Sequence, residues 1–547
     1  MKRYIKNWVP ATLIGCAMAL TSCVGDLDVK PIDPNKNTTP TPEQLLSKCY
    51  ADLGLAGQSG PDGDCDIDGL DGGTTGFVRQ LFNTNELPTD EAICNWGDPG
   101  ISEFNFATYG STHPMANGFY YRLFFGVTVC NQYINTFGSF NATMTAEARF
   151  LRALNYFYLM DLYGNVPFTE ELRDGVAPQY SRKQLYSYIE SELLAIEPTL
   201  AAPQPKKSTD AGYGRVDRAA AWLLLARLYL NAEVYTGTPQ WQKAADYAQR
   251  VMNSPYHLYT GATTNGWTAY QQLFMGNNGE SGASVEAILP VLQDGKTTAS
   301  YGTTLFLMAS TFDGGIVVNQ NGATGNNITE TWAGNRARKD LVEKFFPSGT
   351  VPHVHAKDMP AAAGDDRALF DGKQGDGSNR NLDQANPAQV GVFANGFAVA
   401  KFNNWKTDGT AGHDPKFPDT DFFLMRAAEA YLTYAEATAR LNGGQTTTAG
   451  TAAVNQLRAR AHASQRTSGS YTLRELLDEW SREFYFEGRR RADLIRFNCF
   501  GGSNSYTWSW KGGTHAGTQI PASKNIYALP ANEINVSQGK LKQNTDY

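Results

Sequence analysis

Apolar side chains recur at helical spacing along much of this chain, and the periodic stretches come in pairs. Ala219, Trp222, Leu223, Ala226 and Leu230 share one helix face, and Trp241, Ala244, Ala245, Ala248, Val251 and Met252 share a face of the next helix. The pattern recurs when Leu424, Ala427, Ala428, Tyr431 and Ala435 are matched with Val454, Leu457 and Ala461 across the Gly443-Gly444 break. A third pair runs from Thr145 to Tyr163, ended by Gly164 with Pro167 beyond, and from Ser181 to Leu200, where Leu185, Tyr188, Ile189, Leu193 and Ile196 lie on one face. A fourth starts with Thr41 as N-cap and Pro42 at the first helical position, runs to Leu53, and has its partner near Phe119 to Phe137.

The predicted pairs therefore span about 42–53/117–137, 145–163/181–200, 217–231/239–253 and 422–441/449–461. Short hairpins of this kind, with small residues at the crossing, resemble tetratricopeptide units. Each pair leaves an apolar side that only a neighbour can cover, so the pairs should stack. The expected fold class is mostly α, a tetratricopeptide-like helical repeat scaffold of four helix pairs with minor β and two long irregular loop insertions. These insertions, residues 54–116 and 254–420, are rich in Gly, Asn, Asp, Ser and Thr. Long loops on a rigid scaffold are where binding residues usually sit. A last helix is expected from Thr472 to Gly488, and no linker frees a separate domain, so residues 43–547 read as one unit.

The amino terminus adds a location. Lys2, Arg3 and Lys6 precede an apolar run from Val9 to Leu20 that is too short to span a bilayer, which reads as an export signal. The run ends in Leu20-Thr21-Ser22-Cys23, which resembles a lipobox: residues 1–22 would be removed as a lipoprotein signal peptide and Cys23 acylated. Residues 23–42, rich in Pro and Asn, would be the lipidated tether. An ordinary secretory signal with a chance cysteine is the bland alternative.

Composition narrows the partners. A hydrophobic content of 41% and a formal charge of -7 describe a globular, mildly acidic chain, and its pI near 5.6 argues against nucleic acid, which needs clustered Lys and Arg. Cys49, Cys65, Cys94, Cys130 and Cys499 are odd in number, widely spaced and without a CxxC pair, so they suggest neither a disulfide scaffold nor a zinc site. His353 and His355 lack a nearby third metal ligand.

No GxSxG elbow, P-loop, HExxH or EF-hand loop occurs. A glycosidase needs only two carboxylates, and Asp365-Asp366 are candidates, but Arg367 beside them suggests an ion pair bracing a loop. More informative are Trp96, Trp267, Trp332 and Trp405, all in the loop insertions. Each could be buried under its own loop, or could serve as a flat platform for the apolar face of a pyranose. Three such rings at about 0.5–1.5 kcal/mol each give weak binding suited to capture and release.

Several segments resemble the SusD/RagB family of surface glycan-binding lipoproteins, in order over nearly the whole chain. They are Glu147 to Leu154 (EARFLRAL), Asp161 to Pro167 (DLYGNVP), Asp365 to Arg367, Arg426 to Leu432 (RAAEAYL), Glu483 to Arg491 (EFYFEGRRR) and Asp493 to Phe497 (DLIRF). Phe82 to Glu91, leading to Trp96, is most similar to starch-binding members. The resemblance implies four tetratricopeptide-like pairs, no catalysis, and an outer-membrane protein anchored by lipid and facing the cell exterior. It would capture starch or maltooligosaccharides and deliver them to a TonB-dependent, SusC-like transporter. It further implies an aromatic arc at Trp96, Tyr301 and Trp332 with polar contacts from Asp71 and Arg79. No cofactor is implied as required; a structural calcium ion at Asp419 and Asp421 is conceivable. One departure is Pro99, which stands where the starch binders have a loop Asn. A different polysaccharide or a surface glycosidase is the alternative, and a peptide-binding helical scaffold a third reading.

Overall fold

The computed structural model describes residues 39–547 apart from 62–64, 174 and 348. The expected signal peptide 1–22, Cys23 and the tether up to residue 38 lie outside the described residues. Thr41 opens the first described helix, α1 (Pro42–Ala51), its hydroxyl accepting the Gln44 N–H while Gln44 returns a side-chain acceptor to the Thr41 N–H. Contacts divide the chain between Leu45 and Leu46; the description below concerns residues 46–547.

The longer helices are α2 (Phe77–Asn85), α3 (Pro114–Phe137), α4 (Ala142–Tyr163), α5 (Arg182–Ile196), α6 (Arg218–Leu230), α7 (Trp241–Met252), α8 (Ala428–Leu441), α9 (Thr448–Arg460) and α10 (Leu473–Phe484). Their caps explain where they begin. Asn141 accepts the N–H groups of Thr143 and Met144, so α4 starts three residues before the expected Thr145. Ser181 with Gln184 and Thr472 with Glu475 form capping boxes at α5 and α10. Gly164, at φ 72°, closes α4. The Tyr485 to Gly488 stretch, expected to continue α10, is not helical.

From α3 to α9 each helix packs on its predecessor, and α10 lies against α8. Helix α4 has neighbours on two sides, and Phe150, Leu151, Ala153, Leu154, Tyr156 and Leu159 within it are all fully buried. Each such large apolar side chain contributes roughly 1.5–3 kcal/mol. Residues 48–52 do lie against α3: Asp52 pairs with Arg122 at 2.9 Å, and the Lys48 ammonium sits 5.2 Å from the Phe125 centroid. Helix α3 also folds back along α4, its more extensive partner. Twenty-four residues of α3 offer α4 a longer apolar stripe than the ten-residue α1 could.

The loop insertions are more ordered than their composition suggests. Residues 54–116 contain α2, most of which is buried. Short antiparallel strand pairs join β1 (Ala92–Cys94) to β3 (Asn335–Ala337) and β2 (Ala287–Val291) to β4 (Phe422–Arg426). A buried charge network fixes the second insertion to the helices. Glu483 on α10 meets Arg426 at 2.7 Å, Arg367 at 3.2 Å and Arg460. Arg460 also holds Glu286 at 2.6 Å, and Lys401 holds Glu487 at 2.7 Å. Burial alone would raise the Glu483 carboxyl, but Arg460, Arg426 and Arg367 outweigh it and hold it down to about 2. No described helix is long and apolar enough to cross a membrane.

Candidate functional site

Strand pairing builds this site. Cys94 on β1 lies opposite Asn335 on β3, and the ladder runs on past the strands. Asn95 N–H donates to the Gly334 carbonyl at 3.2 Å, and Trp96 Nε1 donates to the Trp332 carbonyl at 3.0 Å. Two indoles 236 positions apart in sequence are thereby set together, their ring centroids 6.3 Å apart and their planes at 57°. Tyr301 completes the row, 6.3 Å from Trp332 and tilted by 32°. All three rings are half-buried. The expected arc of Trp96, Tyr301 and Trp332 is one contiguous aromatic surface with Trp332 in the middle.

The Trp332 loop wraps the end of a short helix, Thr304–Ala309. Trp332 N–H donates to Ala309 at 2.7 Å, Ala333 N–H to Phe312 at 3.0 Å, and the N–H groups of Gly334 and Asn335 both reach the Ser310 carbonyl at 2.7 Å. These bonds hold Ala333 at φ 46°, a left-handed conformation that costs a non-glycine residue about 1–3 kcal/mol and tends to occur at functional sites. Trp332 Nε1 is itself fixed by Glu330 at 2.7 Å. Beneath Trp96 lies the buried ring of Phe306, 6.1 Å away.

Gly334 is required by close approach. A Cβ there would lie 2.2 Å from Cε2 of Trp96, while both its N–H and its carbonyl are engaged, so the backbone cannot yield. Gly334→Ala is expected to displace the Trp96 ring and weaken ligand retention by about 3- to 10-fold, the value of one ring platform. Far-UV circular dichroism should stay unchanged; retention equal to wild type would show that the Trp96 position is immaterial.

The two expected polar residues flank the rings. The Arg79 guanidinium lies 5.6 Å from the Trp96 centroid and 5.1 Å from that of Phe306. Its backbone N–H donates to Gly302, next to Tyr301, at 2.9 Å. Its Nε is buried with no hydrogen-bond partner among the described residues. Burial lowers its pKa, opposed by Asp98, Cys94 and Asp71 nearby. Asp71 is exposed and caps the turn Gly72–Thr75, accepting Thr74 N–H at 3.0 Å and the Thr74 hydroxyl at 3.1 Å. An aromatic row bordered by a half-buried arginine and an exposed carboxylate offers dispersion to flat apolar faces and hydrogen bonds to hydroxyls at their rims.

The remaining candidates go elsewhere. Trp267 is a core residue, packed with Met275, Phe312, Ile316 and Val318, and Trp405 lies against the same cluster. Asp365 is bound to the buried Arg367 at 2.7 Å, and Asp366 to His462 at 2.7 Å. Asp421 accepts from Tyr213 at 2.6 Å and from the Gln293 N–H at 2.8 Å, and burial pushes it up to about 7. Asp419 accepts from the His413 N–H at 3.0 Å with Lys406 at 3.7 Å. Calcium takes roughly six to eight oxygens. Asp421 is engaged through both oxygens and Asp419 through Oδ2, while Asp419 Oδ1 is buried with no hydrogen-bond partner among the described residues; no group of three His, Cys, Asp or Glu among the described residues has a metal-holding arrangement. Residue reading alone missed Phe306, Glu330 and Gly334; an apolar run, a lone acid and a loop glycine carry no local mark of such roles.

A sequence profile described as the SusD family matches residues 257–547. The chain is 38% identical over 579 aligned positions to the starch-binding protein SusD of Bacteroides thetaiotaomicron, covering 100% of this chain and 99% of the relative. Among solved structures, surface glycan-binding protein A of Bacteroides uniformis superposes with a TM-score of 0.65 at 19% identity, covering 92% of this chain and 98% of that one. Surface glycan-binding protein A of B. thetaiotaomicron, in complex with laminarihexaose, gives 0.64 at 18% identity, again over 92% and 98%. These structural likenesses show a shared fold; the full-length identity, together with the profile match, shows that this chain belongs to the SusD family.

Proposed function

We propose that this protein captures α-glucan oligosaccharides on the row Trp96, Trp332 and Tyr301, without cleaving them, and passes them to a TonB-dependent outer-membrane transporter. The observation that carries the reading is the row itself: three half-buried rings from loops far apart in sequence, spaced 6.3 Å from ring to ring. The tilts between planes suit a ligand that curves, as an α-linked glucan does, and the similarity to a starch-binding relative favours the same sugar. Arg79, half-buried beside Trp96, would donate to sugar hydroxyls, and Asp71, exposed at the rim, would accept from them. Pro99 removes one side-chain donor from this rim, so hydroxyl recognition rests more heavily on Arg79. Acylation of Cys23 would hold the protein at the outer face of the outer membrane.

Native gel electrophoresis through amylose, pullulan, fructan and host glycans tests the ligand. Retardation is expected in the α-glucans alone, with no reducing sugar released, and retardation only in another glycan would replace α-glucan by that polymer. A site that needs no cofactor predicts that EDTA leaves retention unchanged; retention lost to EDTA would instead point to a structural cation at Asp419 and Asp421. Cys23→Ala should move the protein from the membrane to the soluble fraction; continued membrane association would reject the lipid anchor.

A further inference from the structure

We infer that Phe417 and Lys416 extend the sugar-binding row beyond Tyr301 and contact one further glucose unit. This inference rests on the α-glucan reading above. The Phe417 ring lies 5.3 Å from Tyr301 with the two planes at 70°. Phe417 thus meets Tyr301 edge to face and adds a fourth ring to the run of contacts Trp96, Trp332 and Tyr301. The Lys416 ammonium lies 4.7 Å from the Tyr301 centroid and 5.3 Å from that of Phe417. Both side chains are half-buried, as are the three rings of the row.

The segment bearing them is held rigidly. Asp414 accepts the backbone N–H of Lys416 at 2.8 Å and of Phe417 at 2.9 Å. The Pro415 carbonyl accepts from Thr329 N–H at 2.7 Å. Thr329 is three residues before Trp332, so Phe417 and the central platform belong to one braced unit. A preordered site loses less conformational freedom on binding than a mobile loop would.

The chemistry fits a saccharide end. A glucose ring leaving the Tyr301 platform meets the Phe417 ring and the Lys416 ammonium. The apolar C–H face packs on Phe417 while Lys416, with three donors, reaches hydroxyl oxygens of the same unit.

The test is a ladder of linear malto-oligosaccharides, from maltotriose to maltooctaose, titrated by calorimetry into wild type, Phe417→Ala, Lys416→Gln and Trp332→Ala. Wild-type affinity should rise with length until the row is filled. In Phe417→Ala the plateau is expected one glucose earlier, with the longest sugars weakened about 3- to 10-fold and the shortest unchanged. Lys416→Gln, which leaves both rings in place, should weaken the same long sugars. A Phe417→Ala ladder superimposable on wild type overturns the inference. So does equal weakening at every length in both variants, which would make the segment a prop for Tyr301. If wild type binds none of the ladder, the α-glucan reading itself has failed; if Trp332→Ala alone loses binding, that reading stands and the extension falls.

Discussion

Trp332→Ala is expected to abolish retardation in amylose and pullulan gels and to lower oligosaccharide affinity by about tenfold or more. Trp332 is the middle ring, neighbour to both Trp96 and Tyr301, so its loss leaves two separated platforms rather than a shortened row. The substitution spares the scaffold. The Trp332 carbonyl that accepts from Trp96 and the N–H that donates to Ala309 are backbone groups and persist in alanine. Far-UV circular dichroism and melting temperature should therefore match wild type. Migration unaltered in every α-glucan, with the variant folded, would remove this row from the binding surface.

The second large effect is on stability. Glu483→Gln keeps the side-chain shape but deprives Arg426, Arg460 and Arg367 of a shared counter-charge in the fully buried interior. Removing one partner from a buried ion cluster costs about 3–5 kcal/mol. The pH dependence follows from the direction of the shift. The folded carboxyl is held near 2, below its ordinary 4.5, so its contribution is complete above about pH 4.5 and is lost as pH falls from there toward 2. The melting-temperature gap between wild type and variant should hold constant from pH 5 to 8 and narrow in acid. An absent gap at neutral pH would mean that the three arginines find compensation elsewhere.

Much of the scaffold was legible because helix formation is local. The faces of α6 and α7, the capping boxes at Ser181 and Thr472 and the Gly164 stop are written within single stretches of chain. Helix α2 was missed for the opposite reason. It is buried almost all round, and its Asn83, Thr84 and Asn85 lie in the interior. Its apolar Phe77, Val78, Leu81 and Phe82 recur at helical spacing for only nine residues, and the amides beside them, buried only by the tertiary fold, read locally as loop. The β1 to β3 pairing joins residues 92–94 of one insertion to 335–337 of the other and leaves no local trace.

The tryptophans make the same point at the site. Trp267 and Trp332 stand in similar Gly- and Asn-rich surroundings, yet one fills a core and the other a surface row. What separates them is which distant segments arrive beside them. Residue reading could offer four loop indoles; family resemblance selected two of them and added Tyr301. Geometry then supplied what neither carried, the Gly334 seat, the Glu330 tether and the Phe306 floor.

The distribution of the buried charges along the chain bears on biogenesis. Arg367, Lys401, Arg426 and Arg460 must all wait for α10 and the turn after it to deliver Glu479, Glu483 and Glu487. A nascent polypeptide lacking that late segment holds three arginines and a lysine with too few anions to sequester them. Burying those cations before the late glutamates arrive would leave charges uncompensated at a cost of about 3–5 kcal/mol, so the core is expected to close only once α10 is in place.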